Sequence, residues 1–203
     1  MRKFYSVFNI GTITSAVMLG LLCWTPTHAG LITFGTGVLG GTENVTGWTQ
    51  LSSTTASGDL AGNPVILATT DAPLQIPAAG QARIQRLTDG TPFTWVMFDP
   101  ITIPGFFGIE LNVDRIGGSG GTFTLTAIDN NSNSASNEFS FGPGENRVWV
   151  QGMSGAFITK LTVTASDALI NNVSQVRLSA VPEPTALLLV GSMIGLGAFR
   201  RRR

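Results

Sequence analysis

The sequence predicts an all-β protein: a single jelly-roll-like β-sandwich over residues 30–180, flanked by an N-terminal signal peptide and a short apolar C-terminal helix. Three observations predict the sandwich. Apolar residues alternate with Thr, Ser and Asn at period two, as in half-buried strands. Gly-, Asn- and Pro-rich turns separate these runs. No long stretch carries the 3.6-residue period of an amphipathic helix.

The elements follow in order. Leu31–Phe34, Val45–Leu51 and Val65–Thr69 open the series, and Ala82–Leu87 and Phe93–Phe98 continue it. In Phe107–Asp114, Ile109, Leu111 and Val113 alternate with Glu110, Asn112 and Asp114, so the acidic side reads as a solvated strand face. In Gly121–Asp129, Phe123, Leu125 and Ala127 oppose Thr122, Thr124 and Thr126. Glu138–Phe141, Arg147–Gln151, Phe157–Ala165 and Val173–Ser179 complete the set. Turns fall at Ala61-Gly-Asn-Pro64, Thr88-Asp-Gly-Thr91, Ile116–Gly121, Asp129–Asn133 and Gly142-Pro-Gly144. The polar run Leu51-Ser-Ser-Thr-Thr-Ala-Ser-Gly58 reads as a loop. A body of this length buries roughly 70% of its unfolded surface, enough for a two-sheet core.

Charge restricts the partners. Arg2, Lys3 and Arg200 to Arg203 hold half of the twelve basic residues. Between Gly30 and Ala180, six bases face eleven acids, a body charge of −5. An acidic body without a basic cluster lacks the footprint that phosphate binding needs, so nucleic acid is not an expected partner.

The first 29 residues have the parts of a secretory signal peptide. Arg2 and Lys3 form a basic start, Val7–Trp24 is largely apolar, and Thr27-His28-Ala29 puts small residues at −3 and −1 of a cut between Ala29 and Gly30. A retained membrane anchor is the alternative. Leu22 stands before Cys23 where a lipoprotein signal needs a small residue. Cys23 and His28 are the only cysteine and histidine, so a cut after Ala29 removes both. The exported chain then has no disulfide, no usual zinc site and no His-dependent triad.

Four features of the body resemble sites. Gly117-Gly-Ser-Gly-Gly121 fits G-x-S-x-G, but it lies between strands and has no histidine partner, so it reads as a hairpin loop. Glu110 and Asp114 share one strand face and lie about 13 Å apart along it, whereas glycosidase carboxylates stand about 5–9.5 Å apart. Asp129–Asn133 presents alternating oxygens, yet Ser134 and Ser140 occupy the places of the Gly and Glu of a calcium loop. It reads as an Asn-rich turn, and calcium remains open without a residue to support it. Trp48, Trp95 and Trp149 each lie in an expected strand; they are core residues first and candidate glycan contacts second. No catalytic residue, metal site or cofactor follows from the sequence.

The C-terminal segment, residues 181–203, joins Val181-Pro182-Glu183-Pro184 to an uncharged apolar run, Thr185–Phe199, and then to Arg200, Arg201, Arg202 and Arg203. As a helix, fifteen residues span about 22 Å, short of a hydrocarbon core of about 30 Å. The run is therefore a weak membrane anchor, with the arginines on the cytoplasmic side. Pro182 and Pro184 favour extended backbone, which suits a protease groove. These three parts, in this order, resemble the PEP-CTERM sorting signal of Gram-negative and cyanobacterial envelopes. The resemblance covers the last 23 residues. It implies processing by an exosortase, after signal peptidase has acted at the other end. It further implies transient residence in the inner membrane, then the cell surface or an extracellular polysaccharide matrix. The expected function is that of an exported, non-catalytic surface or matrix protein. The alternative is a carbohydrate-binding module acting on envelope or exopolysaccharide glycans.

Overall fold

The computed structural model describes residues 31–77, 83–117, 120–166 and 169–181. Ala29, Gly30, the motif from Pro182 to Pro184, the apolar run and Arg200 to Arg203 lie outside the described residues.

Among the described residues there are fourteen strands and no helix. They are β1 (Leu31–Thr36), β2 (Glu43–Asn44), β3 (Gly47–Gln50), β4 (Thr55–Leu60), β5 (Asn63–Thr70), β6 (Leu74–Gln75) and β7 (Arg83–Arg86). Then follow β8 (Trp95–Pro100), β9 (Phe106–Arg115), β10 (Thr122–Asp129), β11 (Ser134–Ser140), β12 (Arg147–Met153), β13 (Ile158–Ala165) and β14 (Ile170–Ala180).

The strands form two leaves. The first runs β3-β4-β5-β8-β13-β10-β11. The second runs β1-β12-β9-β14, with β7 and β2 side by side along the far edge of β14 and β6 beyond β7. A single register pair, Phe106 opposite Ile158, joins the leaves at one corner, and a bridge between Phe93 and Ile170 joins them at another. The result is a nearly closed sheet flattened into a sandwich. From β8 onward the chain changes leaf at almost every connection, the winding of a jelly roll.

Period-two alternation explains the core. Phe123, Leu125 and Ala127 from β10, Leu161 and Val163 from β13, and Val96 and Phe98 from β8 all point inward and are fully buried. Ile109, Leu111 and Val113 from β9 meet them from the other leaf, with Val148, Val150, Val173 and Leu178. Each large side chain removed from water contributes roughly 1.5–3 kcal/mol.

Two expectations are corrected. The run from Leu51 to Gly58 is only partly a loop, because Thr55 starts β4. The inward residues of β4 include Ala56 and Gly58, too small to register as an apolar alternation. A Cβ at Gly58 would stand 2.7 Å from Val45 Cγ1 and 2.8 Å from Ile66 Cγ2, so close packing requires the small residue. Secondly, Val45 and Thr46 precede β3 rather than belonging to it. The N–H of Val45 donates to Val176 O on the second leaf, while that of Thr46 donates to Asp59 O on the first. The chain crosses between leaves at this point.

The acidic face of β9 is also corrected: Glu110 is 1% exposed and Asn112 4%. A strap from Gly37 to Asn44 crosses the outside of the second leaf. It begins with Gly37 N–H donating to Arg147 O, lays Leu39 over Gly108, and ends in β2 beside β14. The Leu39 N–H donates to Glu110 Oε2 at 2.9 Å beneath it. Alternation puts Glu110 on the outer face as expected; the strap then seals it from water.

Candidate functional site

The strands deliver the three tryptophans to three different places. Trp48 is buried in the core, with its ring 6.4 Å from that of Phe98, so it offers no glycan a face. Trp95 is half-buried on the outer face of the first leaf. Trp149 is half-buried on the outer face of the second leaf, where its Nε1–H donates to Thr36 O at 3.2 Å. They do not form one stacking platform.

Around Trp95 the register builds rows of hydroxyl side chains. Trp95 lies opposite Thr164, Thr164 opposite Thr124, and Thr124 opposite Glu138. In the next row Met97 meets Thr162, Thr162 meets Thr126, and Thr126 meets Ser136, with the last two hydroxyl oxygens 2.9 Å apart. Directly opposed residues share a face, so these rows stand outward together.

The carboxylates singled out in the sequence separate in the same way. Glu110 is sealed under the strap, whereas Asp114, four residues further along β9, borders an open cleft. Asp129 closes its own turn: Oδ1 accepts the N–H groups of Asn131 at 2.8 Å and Asn133 at 2.9 Å, and Oδ2 accepts the Asn133 amide at 3.0 Å. Burial under the turn pushes the Asp129 carboxyl up, but the Asn133 side chain, Asn133 N–H and Asn131 N–H together hold it below its ordinary value. The turn residues thus use both carboxylate oxygens. Ser119 of the glycine-rich loop lies outside the described residues. Among the described residues no three Asp, Glu, His or Cys side chains converge as a metal site would require.

Two clefts that sequence reasoning missed flank the loop Gly142–Asn146, which joins β11 of the first leaf to β12 of the second. The first cleft, of about 420 Å³, opens between the leaves. Phe123 and Phe139 of the first leaf form one side, and Thr36, Arg147 and Val148 of the second form the other. Phe123 and Phe139 stack at 5.6 Å between ring centroids, and Phe141 packs on Phe123 at 4.6 Å. Glu145 and Arg147 stand at the rim, with Glu145 Oε2 2.8 Å from Arg147 Nε. The second cleft, of about 380 Å³, has Asp114, Arg115 and Asn171 on its wall. Gly142 and Asn146 line both.

Asn146 fixes the ridge between the clefts. Its N–H donates to Asn112 Oδ1 at 2.7 Å, its amide to Val113 O at 3.1 Å, and its Oδ1 accepts Gly142 N–H at 2.7 Å. On the exposed rim, a hydrogen bond from Gln175 and then one from Arg147 lower the Glu145 carboxyl. Gln175 sits in the β14 bulge with φ of 52°, a left-handed conformation that carries its amide to Glu145 at 3.1 Å. The turn chemistry of Gly142-Pro143-Gly144 was visible in sequence. The pairing of leaf ends that makes the clefts depends on partners more than a hundred residues apart, such as Thr36 and Val148.

No family model matches the chain, and no curated protein matches it. Among solved structures one match is to an exo-beta-agarase, at 9% identity and a TM-score of 0.36, covering 68% of this chain and 25% of the other. The chain spans about a quarter of the length of that protein.

Proposed function

We propose that this chain is an exported, non-catalytic β-sandwich that acts at a cell surface or in an extracellular matrix, with residues 181–203 as a removable sorting signal. One observation carries the reading: the motif Val181-Pro-Glu-Pro184 follows directly on the last ladder of the fold. Ala180 is the final residue of β14, opposite Phe106, and Val181 N–H donates to Gly105 O at 3.0 Å. A cut on the far side of that hydrogen bond leaves every described strand whole. Exosortase and signal peptidase are the processing partners in this reading, and the inner membrane is a temporary station.

Intact-mass measurement of the protein recovered from the native envelope and medium tests this reading. A chain beginning at Gly30 and ending near Pro184 supports it, and any added mass identifies what the protein is joined to. A chain still ending at Arg203 overturns the sorting signal. Turnover of a polysaccharide by the purified protein overturns the non-catalytic part.

A second reading, contact with a glycan, is favoured by the cleft between the leaves. It sets the hydrogen-bonding side chains of Ser140, Glu145 and Arg147 at its rim over a buried apolar floor.

A further inference from the structure

We infer that the free edge of β11 is a docking surface for a second copy of this chain, joining the first leaves of two molecules into one continuous sheet. The inference goes beyond the sorting and glycan readings and depends on neither.

Free backbone groups define the surface. β11 pairs with β10 alone, over all seven of its residues and without a register shift. The Phe141 N–H donates to Gly121 O at one end of this ladder, and the Asp129 N–H donates to Asn133 O at the other. The odd-numbered residues of β11 therefore turn their N–H and C=O groups to β10. Those of Ser134, Ser136, Glu138 and Ser140 point to the open side, where among the described residues no strand meets them. There the Asn137 amide donates to Glu138 O at 3.4 Å, a long bond that a strand donor can displace.

This edge is unguarded. Proteins protect sheet edges by shortness, lysine, proline or a bulge. β6 and β3 are short, at two and four residues, and Gly35 interrupts β1. β11 has seven residues, with no lysine, proline, glycine or bulge among them.

The sequence of β11 fits its own copy. Antiparallel pairing about a two-fold axis at Asn137 sets Ser134 against Ser140, Ala135 against Phe139 and Ser136 against Glu138. The free-edge residues then meet one another, and each such pair exchanges two hydrogen bonds. On the inner face, Ala135 of each copy lies beside Phe139 of the other, a small side chain against the ring that already stacks on Phe123. Charge and alternation select this register. Glu138 is the only charged residue of β11. A two-residue shift one way opposes Glu138 to its own copy, a destabilising like-charge pair. The opposite shift leaves Phe139 and Ser140 outside the overlap, and a one-residue shift sets inner side chains against outer ones. A two-fold contact uses up the edge on both copies, so association stops at the dimer.

The test is sedimentation velocity of the full chain in a non-ionic detergent. We expect a dimer at about 0.1 mM protein. Ser136→Pro removes an N–H that the fold itself does not use, and proline is tolerated on an edge strand. The dimer should weaken at least about tenfold, with the near-ultraviolet circular dichroism unchanged. If that variant fails to fold, Ser134→Pro, at the first residue of the strand, replaces it with the same expected direction. A second measurement uses thiols in a Cys23→Ser background. Asn137→Cys sets two thiols across the axis in a non-hydrogen-bonded pair, with Cα atoms about 4.5 Å apart, inside the disulfide range of about 4.4–6.8 Å. Mild oxidation should link it into a covalent dimer, whereas Thr49→Cys, on the opposite edge of the same leaf, should stay unlinked. A chain that is monomeric at this concentration, or a dimer that Ser136→Pro leaves intact, overturns the inference. So does absent linkage at position 137, or equal linkage at both positions. Oxidation in envelope extract should give the same covalent dimer; a mixed disulfide with a different protein in its place overturns the second copy as occupant.

Discussion

Trp149 rests on Gly35. The two residues are opposite one another in the β1–β12 ladder, and a Cβ built on Gly35 would stand 2.2 Å from Trp149 Cζ2. The glycine leaves its backbone bare at the edge of the second leaf, and the indole covers it, an aromatic rescue across strands. Gly35→Ala should therefore destabilise the protein by overpacking, by about 1–3 kcal/mol. The indole must swing away, which also breaks its hydrogen bond to Thr36 O. Urea unfolding reads the stability, and a red-shifted tryptophan emission reads the displacement. An unchanged spectrum together with an unchanged midpoint would show that the indole does not depend on that glycine.

Glu110 tests the strap. Its carboxylate accepts the Leu39 N–H in a place that is 1% exposed, so removing the acceptor strands a donor. Glu110→Ala should cost about 1–3 kcal/mol. Glu110→Gln keeps a carbonyl oxygen in reach of Leu39 and should cost less than half as much. Hydrogen exchange at the Leu39 amide distinguishes the two, accelerating in the alanine variant only. Equal losses in both variants would mean that charge, not the hydrogen bond, holds the strap.

The Asp129 turn predicts a pH dependence. Its folded carboxyl is held below the ordinary value of 3.8, chiefly by Asn133 and also by Asn131, against the opposing effect of burial. Near pH 4 the unfolded chain therefore binds more protons than the folded one at this position. The stability it contributes is complete above the unfolded value and is lost as pH falls through the lower folded value. Asp129→Asn removes the titration, so its denaturation midpoint should fall less steeply than that of the parent as pH drops below about 4. Parallel midpoint curves for the two proteins would refute the assignment.

Most of the fold was legible because alternation survives wherever the inward residues are large. β9 and β10 are the clearest cases, with Phe, Leu, Ile and Val on one side and Thr, Glu or Asn on the other, whereas in β13 an irregularity at Thr159 breaks the alternation and turns Ile158 inward with Leu161 and Val163. β4 was missed because its inward residues include Ala56 and Gly58, and β11 was cut short because an edge strand with six half-buried or exposed residues in seven has little apolar signal. Glu110 was placed on the correct face but not under its cover, since the strap crosses strands that only the fold brings near it. The same limit hid the clefts. Their walls come from β1, β10, β11 and β12 with the Gly142–Asn146 loop, and nothing local in any one of these marks a site.

The last strand defines where the fold can be cut. β14 is the longest strand, eleven residues, and it is paired with β9 on one side and with β7 and β2 on the other. Leu178 at its end is 1% exposed and belongs to the core. A chain ending at Val181 retains all of these pairings and the Val181 N–H bond to Gly105 O, so it should unfold cooperatively at the same urea midpoint as the full chain. A chain ending at Ser174 loses Val176, Leu178 and the pairings of Arg177 with Asn44 and Glu110. Two such side chains contribute roughly 3–6 kcal/mol, and that loss is comparable to the whole stability of many domains, about 5–15 kcal/mol. The shorter chain should therefore lose its near-ultraviolet circular dichroism at room temperature. If the chain ending at Val181 were instead clearly less stable than the full chain, residues beyond 181 would be part of the folded body, and a processing cut at Pro182–Pro184 would have to unfold what it releases.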